Sequence, residues 1–424
     1  MNLYSKLELD FVLSAEEQSR LNLRRRIALV RHVYHNIPFY HKKYLEAGVD
    51  IDSLKTDEDF ARLPLLTKDE VRNSFHEMIS KHDSLDCLLF GATGGSTGEP
   101  VRFYFDPGIC MSMLGWPAAS CLGINPCDSV GVVGRGVPSS LKQNLHDLLF
   151  FPQKNVYLDA ATTIDSKAMK RFAEGLIRSK AKYIRGYVGG IVQFAEYCRQ
   201  HNLSFPSLRM IWTSSAPLPE FQRKILQDTF KCPAYTQYGC CEMPWLGMEC
   251  VKQCGLHTFP TIRHVEITDD DGKPMPPETI GKVVITDLLD FRFPLIRYVN
   301  GDRSAFLSKK CDCGNHAPLL DYIQGRVTDC LTLSDGSFLF GDFLTTVFDQ
   351  RPNAVKAFQF HQLRDGTIRF SIVKNNQYSN ASKEIEEVIS GFRQLIAGRN
   401  TIDINFCESI SSDRGKTRFV IKDK

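Results

Sequence analysis

Apolar positions near the start of the chain recur at helical spacing. Leu23, Ile27, Val30 and Tyr34 mark one stripe. Ahead of them, Ser14-Ala15-Glu16-Glu17 places a hydroxyl cap before acids at the positive end of a helix dipole. Ile37-Pro38 stops that helix, because the residue before a proline is pushed out of the helical region. Leu63-Pro64-Leu65-Leu66 then reads as a loop feeding a second helix capped by Thr67. From residue 87 to residue 300, short apolar runs alternate with helical ones. VGVVG (130–134), YIRGYVGG (183–190), MIWTSS (210–215) and KVVITDL (282–288) predict strands. The stretches 166–179, 190–200 and 218–230 predict helices. The alternation predicts α/β layering.

The last hundred residues have another pattern. VKAFQFHQL (355–363) and TIRFSIV (367–373) flank the turn signal Arg364-Asp365-Gly366 and predict a β-hairpin. Ile385, Val388, Ile389, Phe392 and Leu395 line one face of a helix. Ile402, Ile404 and Phe406 alternate as a strand. A hairpin, a helix and a strand make a small α+β domain.

Composition narrows the class. The 424 residues suggest two or three domains. A hydrophobic share of 43% and a charged share of 24% fit a globular chain and exclude a disordered one. The 52 Lys and Arg against 49 Asp and Glu leave a net charge of +3, far from the basic excess of a dedicated nucleic-acid binder. Arg24-Arg25-Arg26 is the one tight basic run, read as a solvated helix face. No apolar run is long enough for membrane insertion, and the N-terminal residues mix charges into their apolar positions, unlike a signal peptide. The fourteen Cys therefore suggest reduced thiols or metal ligands, and the expected location is cytoplasmic.

The sharpest local signal is Gly91-Ala92-Thr93-Gly94-Gly95-Ser96-Thr97-Gly98-Glu99-Pro100. Closely spaced glycines and hydroxyls can turn successive N–H and O–H groups toward an anion. The tail is Gly-Glu-Pro, so the Walker pattern, which ends in Gly-Lys-Ser/Thr, is absent. Flanking apolar runs (CLLF before, VRFYF after) predict a hairpin loop over phosphates.

Thr93–Pro100 resembles the phosphate loop of the adenylate-forming superfamily. Further segments follow in that superfamily's order. Ile37-Pro38-Phe39-Tyr40, Ala47-Gly48 and Leu63–Lys68 resemble the N-terminal signature of its phenylacetate–CoA ligase and CapK-like branch. Trp212–Leu218 resembles the adenine-side segment, with Ala216 where Glu is usual. Tyr238-Gly239-Cys240-Cys241-Glu242 is similar to Y-G-x-T-E with Cys241 for Thr, and Arg297-Tyr298-Val299-Asn300-Gly301-Asp302 to R-Y-x-T-G-D with Asn300 for Thr. Gly325-Arg326-Val327-Thr328-Asp329 resembles the hinge, and Arg414-Gly415-Lys416 stands where a catalytic lysine is carried.

The resemblance implies a fold and a reaction. The fold is α/β, with a large multi-layer N-terminal domain (1–325) and a small mobile C-terminal α+β domain (326–424) turning near Asp329. The reaction is ATP-dependent activation of a carboxylic acid, by preference an aryl acid, to an acyl-AMP with release of pyrophosphate, then transfer to coenzyme A. Thr93, Gly94, Gly95, Ser96, Thr97 and Gly98 would grip the β- and γ-phosphates. Ser215, Ala216 and Pro217 would flank adenine, with Tyr238, Gly239, Cys240, Cys241 and Arg326 completing the nucleotide site. Asp302 would accept from the ribose hydroxyls and Glu242 would ligate Mg²⁺, a hard cation suited to carboxylate and phosphate oxygens. Lys416 would set its ammonium against the α-phosphate or carboxylate. Gly186, Tyr187 and Tyr238 are candidate walls of the acyl pocket. A thiol is a weaker donor than a hydroxyl, so Cys241 is expected to alter nucleotide affinity or chemistry. Relatives are commonly dimers, which implies a homodimer.

Cys250-x3-Cys254-x2-His257 and Cys311-Asp312-Cys313-Gly314-Asn315-His316 form two short clusters of thiolate and imidazole ligands, the composition of a structural Zn²⁺ site. Six candidates compete for four positions. The CapK-like pattern selects Cys250, His257, Cys311 and Cys313, with Cys254 the leading substitute and His316 after it. Two rival functions remain open at this stage: an acyl-AMP ligase with an amine or hydroxyl acceptor, as in polysaccharide biosynthesis, and a non-catalytic nucleotide-binding relative.

Overall fold

A computed structural model of the chain describes residues 13–81, 84–92, 101–109, 115–125, 127–134, 138, 148–149, 153–160, 166–323, 330–335, 338–340, 344, 347–348, 351, 353–410 and 419–423. The phosphate-loop candidates 93–98, the hinge residues Arg326 and Asp329, and Lys416 lie outside the described residues.

In chain order the helices are α1 (Ala15–Asn36), α2 (Pro38–Glu46), α3 (Asp57–Ala61), α4 (Lys68–Asn73), α5 (Trp116–Cys121), α6 (Ser166–Ser179), α7 (Val188–Gln200), α8 (Glu220–Phe230) and α9 (Ala381–Leu395). The strands are β1 (Leu89–Ala92), β2 (Arg102–Phe105), β3 (Val130–Gly134), β4 (Asn155–Asp159), β5 (Tyr183–Tyr187), β6 (Met210–Ser214), β7 (Ala234–Tyr238), β8 (Gly247–Met248), β9 (Leu256–Thr258), β10 (Arg263–Thr268), β11 (Gly281–Asp287), β12 (Tyr298–Ser304), β13 (Leu319–Leu320), β14 (Cys330–Thr332), β15 (Phe338–Phe340), β16 (Val355–Gln362), β17 (Ile368–Lys374), β18 (Ile402–Phe406) and β19 (Val420–Lys422).

The chain forms two compact units, Met1–Gly123 with Gln237–Ile323, and Ile124–Thr236 with Gln324–Lys424. In the first, Ser14 caps α1 and forms a capping box with Glu17, and Thr67 does the same for α4 with Glu70. Ile37 ends α1 as expected, but Pro38 at once opens α2, because proline suits the first helical turn. The buried face of α1 is Gln18, Asn22, Arg26, Leu29, Val30 and Val33, rotated from the apolar stripe. Tertiary polar contacts decide this. Asn22 donates to the Pro260 and Arg263 carbonyls, and Arg26 pairs with Asp57. The basic run is thus only partly solvated: Arg24 is exposed, whereas Arg26 is buried and Arg25 donates to the Thr261 carbonyl. β1 and β2 pair antiparallel around the glycine-rich segment, as predicted. β10, β11 and β12 form an antiparallel sheet packed on an apolar core that includes Tyr40, Phe60, Ile285 and Tyr298.

In the second unit, β4, β3, β5, β6 and the first residues of β7 line up as a parallel sheet. α6 lies on one face: a Cβ at Gly131 would meet Leu176 and Phe172, and one at Gly175 would meet Val156. The run 183–190 is not one strand. It ends at Tyr187 and α7 begins at Val188, so that Val188, Ile191 and Val192 pack into the core. The hairpin β16–β17 turns at Gly366, whose φ of +82° suits glycine. β18 pairs parallel with β17 and β19 parallel with β16. Phe358, Phe360, Phe370 and Phe392 from β16, β17 and α9 form an aromatic core, with the Phe360 and Phe370 rings stacked 4.1 Å apart.

Candidate active site

The first unit brings the site candidates Tyr238, Glu242 and Asp302 together with Tyr298 and Asn300 from two stretches. β7 ends at Tyr238, and Glu242 follows in the turn that leads to β8. β12 supplies Tyr298, Asn300 and Asp302. In the β11–β12 ladder Val284 faces Val299 and Lys282 faces Arg303, so Asn300-Gly301-Asp302 oppose the single residue Val283. This is a β-bulge, a device that re-aims side chains beside functional sites. Gly301 carries it with φ +90°. Leu66 bonds along the other side of the strand: its N–H donates to the Arg297 carbonyl and its carbonyl accepts from Val299, each at 2.9 Å. The LPLLTK segment therefore zips onto β12. It also brings the Lys68 ammonium beside Gly301, where a Cβ would lie 3.2 Å from it.

The polar array is buried and closely bonded. The Tyr238 hydroxyl donates to Asp302 Oδ2 at 2.9 Å and accepts from the Asn300 amide at 2.6 Å. That amide also donates to Asp302 Oδ2 at 2.8 Å, and Asn300 Oδ1 accepts from the Asp302 N–H at 3.0 Å. Burial, and then the Asp302 charge, pushes the Tyr238 phenol well above its ordinary range, so it remains a donor. The Tyr298 hydroxyl donates to Glu242 Oε1 at 2.9 Å, and burial with the Glu242 charge raises that phenol too. Glu242 and Asp302 are thus both held by protonated tyrosines. Asn300, a departure from the usual Thr, is the centre of the array: one amide steadies two acceptors, which a hydroxyl with a single proton cannot do.

The neighbouring motif residues take different places. Gly239 is needed for close approach, since a Cβ would come within 2.9 Å of the Trp245 N–H nitrogen. Cys240 is half-buried with its thiol on the Met243 carbonyl, and burial with the Glu242 charge raises its pKa. Cys241 is exposed. Ser215, Ala216 and Pro217 follow β6 in the second unit, where Ser215 adopts a left-handed φ of +75°. Gly186 and Tyr187 end β5. Gly186 has φ +139°, and a Cβ there would strike the Val133 carbonyl oxygen at 1.7 Å. Gly186 is therefore required by packing within the sheet.

Arg297, the first residue of the R-Y-x-T-G-D-like motif, organises the array from below. It is 1% exposed with a left-handed φ of +50°. Its guanidinium pairs with both oxygens of buried Glu266, at 3.1 and 3.0 Å, and donates to the Gly272, Ala61 and Leu63 carbonyls. No sequence motif points to Glu266; only its place on β10, two strands from β12, reveals it.

The thiol cluster forms elsewhere in the same unit. Cys250, His257, Cys311 and Cys313 place their ligand atoms within 4.8 Å of one another. Cys250 Sγ lies 3.5 Å from Cys311 Sγ, and Cys313 Sγ lies 3.3 Å from His257 Nε2. A tetrahedral Zn²⁺ with bonds of about 2.0–2.3 Å sets its ligands roughly 3.3–3.8 Å apart, so the donor set fits. His257 Nδ1 donates to the Ala317 carbonyl at 3.3 Å, which turns Nε2 to the thiols. Burial lowers the His257 pKa and favours the neutral ring a ligand needs. Backbone N–H groups of Lys252 and Asn315 each donate to a cluster sulfur at 3.4 Å. Cys254 Sγ touches Cys311 Sγ at 3.2 Å but does not join the mutual set.

Comparison with known proteins gives this architecture a class. The fold is that of the adenylate-forming CoA ligases: the chain matches a 2-hydroxyisobutyryl-CoA ligase, solved in the postadenylation state with 2-HIB-AMP, with a TM-score of 0.83 and 19% identity over 98% of this chain and 92% of that one. An anthranilate CoA ligase solved with anthranoyl-AMP matches with a TM-score of 0.54 and 14% identity, covering 80% of this chain and 66% of that one. Within that class, residues 331–423 match the CapK C-terminal domain family. The curated relatives are phenylacetate-coenzyme A ligases. That of Thermus thermophilus is 23% identical over 394 residues, covering 89% of this chain and 86% of its own. That of Escherichia coli is 22% identical over 336 residues, covering 76% and 74%.

Removing Arg297 leaves Glu266 as an unpaired buried carboxylate, a change that costs about 3–5 kcal/mol. The Arg297→Met variant is expected to lower the urea midpoint accordingly, and Arg297→Met with Glu266→Gln to recover part of the loss. Equal midpoints for the single and double variants would refute the pairing.

Proposed function

We propose that the chain is an ATP-dependent acid–CoA ligase. A carboxylate oxygen of the acid attacks the α-phosphate of ATP, the bond to the β-phosphate breaks, and pyrophosphate leaves with the electron pair. The coenzyme A thiol then attacks the acyl carbonyl and AMP departs. The observation that carries this reading is the Tyr238–Asn300–Asp302 array beside Tyr298–Glu242, in a chain whose curated relatives across most of its length are CoA ligases.

Each group has a task that its surroundings support. Asp302, its Oδ2 fixed by the Tyr238 hydroxyl and the Asn300 amide, would be a preoriented acceptor for two ribose hydroxyls. Glu242, with Oε1 held by Tyr298, is the carboxylate that would hold Mg²⁺, which would supply charge neutralisation on the phosphates. The loop 93–98 would hold the β- and γ-phosphates through backbone N–H and hydroxyl donors. Ser215, Ala216 and Pro217 would flank adenine, and Arg326 would reach the nucleotide. Lys416 would place its ammonium against the charge that develops at the α-phosphate, on a small domain (326–424) that turns near Asp329. Cys250, His257, Cys311 and Cys313 would hold a structural Zn²⁺, joining the segment after Glu242 to the segment after Asp302.

Acid-dependent exchange of pyrophosphate into ATP tests the first half-reaction. A panel of aryl and short-chain acids is expected to show exchange with at least one member, and Glu242→Ala and Lys416→Ala are each expected to lower it by roughly 10²–10³. Thioester formation on adding coenzyme A tests the second half. ATP binding without exchange for any acid would instead favour a non-catalytic nucleotide-binding protein.

The metal reading has its own test. Metal analysis of the purified protein is expected to give about one zinc per chain. His257→Ala and Cys313→Ser should lose it and lower the melting temperature, whereas Cys254→Ser should keep it. Retention of zinc by the first two variants would overturn the ligand set.

A further inference from the structure

One thiol of the first unit stands beside the metal-ligand candidates without joining them. Cys254 Sγ lies 3.2 Å from Cys311 Sγ, closer than Cys250 Sγ at 3.5 Å. Yet the four ligand atoms that share one centre are those of Cys250, His257, Cys311 and Cys313. A structural Zn²⁺ is closed at four ligands. Cys254 is then a fifth donor, in contact with a ligand sulfur and outside the metal's own set.

The backbone holds Cys254 in that place. The Gln253 N–H donates to the Cys250 carbonyl at 3.0 Å and closes a turn. Gln253 has a left-handed φ of +49° and Gly255 a φ of +141°. A Cβ at Gly255 would come within 2.9 Å of the Leu320 carbonyl oxygen, so glycine lets the chain pass this close to β13. The Gln253 carbonyl accepts from the Tyr322 hydroxyl at 3.1 Å. The residues on both sides of Cys254 are thus pinned to the stretch that follows Cys311 and Cys313. Both Cys254 and Cys311 are free thiols of intermediate exposure, so a small solute can reach them, whereas His257 is 4% exposed.

The two sulfurs differ in what they can do. A thiolate that binds zinc shares its electron pair with the metal, and an uncoordinated one keeps that pair for attack on an electrophile. A disulfide bond is about 2.05 Å long, so the two sulfurs need to close by roughly 1.2 Å.

We propose that Cys254 and Cys311 form an oxidative modification site: a hydroperoxide converts them to a disulfide, which takes Cys311 away from the zinc. The Cys254 sulfur attacks the O–O bond. An S–O bond forms, the O–O bond breaks, and the departing oxygen leaves with the electron pair and takes up a proton. The Cys311 sulfur then attacks the Cys254 sulfur, the S–S bond forms, the S–O bond breaks, and hydroxide leaves as water. The two thiols give up two electrons and two protons, and the peroxide is reduced by two electrons. A disulfide sulfur carries no thiolate charge, so the metal keeps three ligands of four. The new covalent bond joins the same two segments that the metal joined. The inference rests on the zinc reading above and states what the additional thiol does to that site.

The test treats the zinc-loaded full chain with hydrogen peroxide and takes two readouts: released zinc, by a chromogenic chelator, and cysteine pairing, by peptide mapping without reduction after alkylation. A Cys254–Cys311 crosslink is expected to appear together with release of about one zinc per chain, and a thiol reductant with added zinc should reverse both. Cys254→Ser should hold zinc before oxidation, form no such crosslink and release zinc at least about tenfold more slowly. Cys87→Ser, at an exposed thiol elsewhere in the chain, should behave as the unmodified protein does. A Cys250–Cys311 disulfide with Cys254 still open to alkylation, or an unchanged release rate in Cys254→Ser, would overturn the proposal. Failure of the zinc reading is seen separately. A protein that holds no zinc yet forms the Cys254–Cys311 crosslink would remove the metal and leave the oxidation site standing; zinc held, and released by peroxide with no crosslink at Cys254, would do the reverse.

Discussion

The pairing of Arg297 with Glu266 is the constraint on which the candidate active site depends. Arg297 sits just before β12 in a backbone conformation that non-glycine residues seldom adopt. Its guanidinium ties together the segment around Ala61 and Leu63, the turn at Gly272 and strand β10. With that residue pinned, the next positions are determined. Tyr298 turns to Glu242, and the bulge that follows brings Asn300 and Asp302 to Tyr238. Burying an ion pair is weak evidence for stability in itself. Its value here is positional: each guanidinium N–H has one acceptor, so the strand has one place to lie.

The array built on this base is an example of a polar network in which every bond constrains another. Asn300 donates to both Tyr238 and Asp302 and accepts from the Asp302 backbone, so none of the three side chains can rotate alone. Such preorganisation is what a site needs if its carboxylate is to meet a ligand without reorienting. A metal held by the thiol cluster would perform a comparable service for the segments that follow. β9 and β13 pair over only two residues, a short ladder that a four-ligand metal would reinforce.

Much of this was legible in the chain, and the unread part has physical causes. The strands 130–134, 210–214 and 281–287 and the helices 166–179 and 381–395 follow from periodicity, because their faces are plainly apolar. The hairpin around Gly366 follows from its turn residues. The buried face of α1 could not be read, since it is held by Asn22 and Arg26 bonding to residues more than thirty positions away. β19 was missed because three residues of edge strand carry no pattern of their own. Glu242, Asp302 and the four metal-ligand candidates stood in spaced motifs and could be named. Glu266 belongs to no motif. Asn300 departs from the motif's usual Thr, and the structure makes it the donor that joins Tyr238 to Asp302.

The central claim is that this array holds the ribose of a nucleotide through Asp302. The most direct measurement compares the affinity of ATP with that of its 2′,3′-dideoxy analogue, in the unmodified protein and in Asp302→Asn. The account predicts that removing the hydroxyls weakens binding by about tenfold or more in the unmodified protein, and that the difference largely disappears in Asp302→Asn. An equal penalty in both proteins would place the ribose elsewhere and contradict the account.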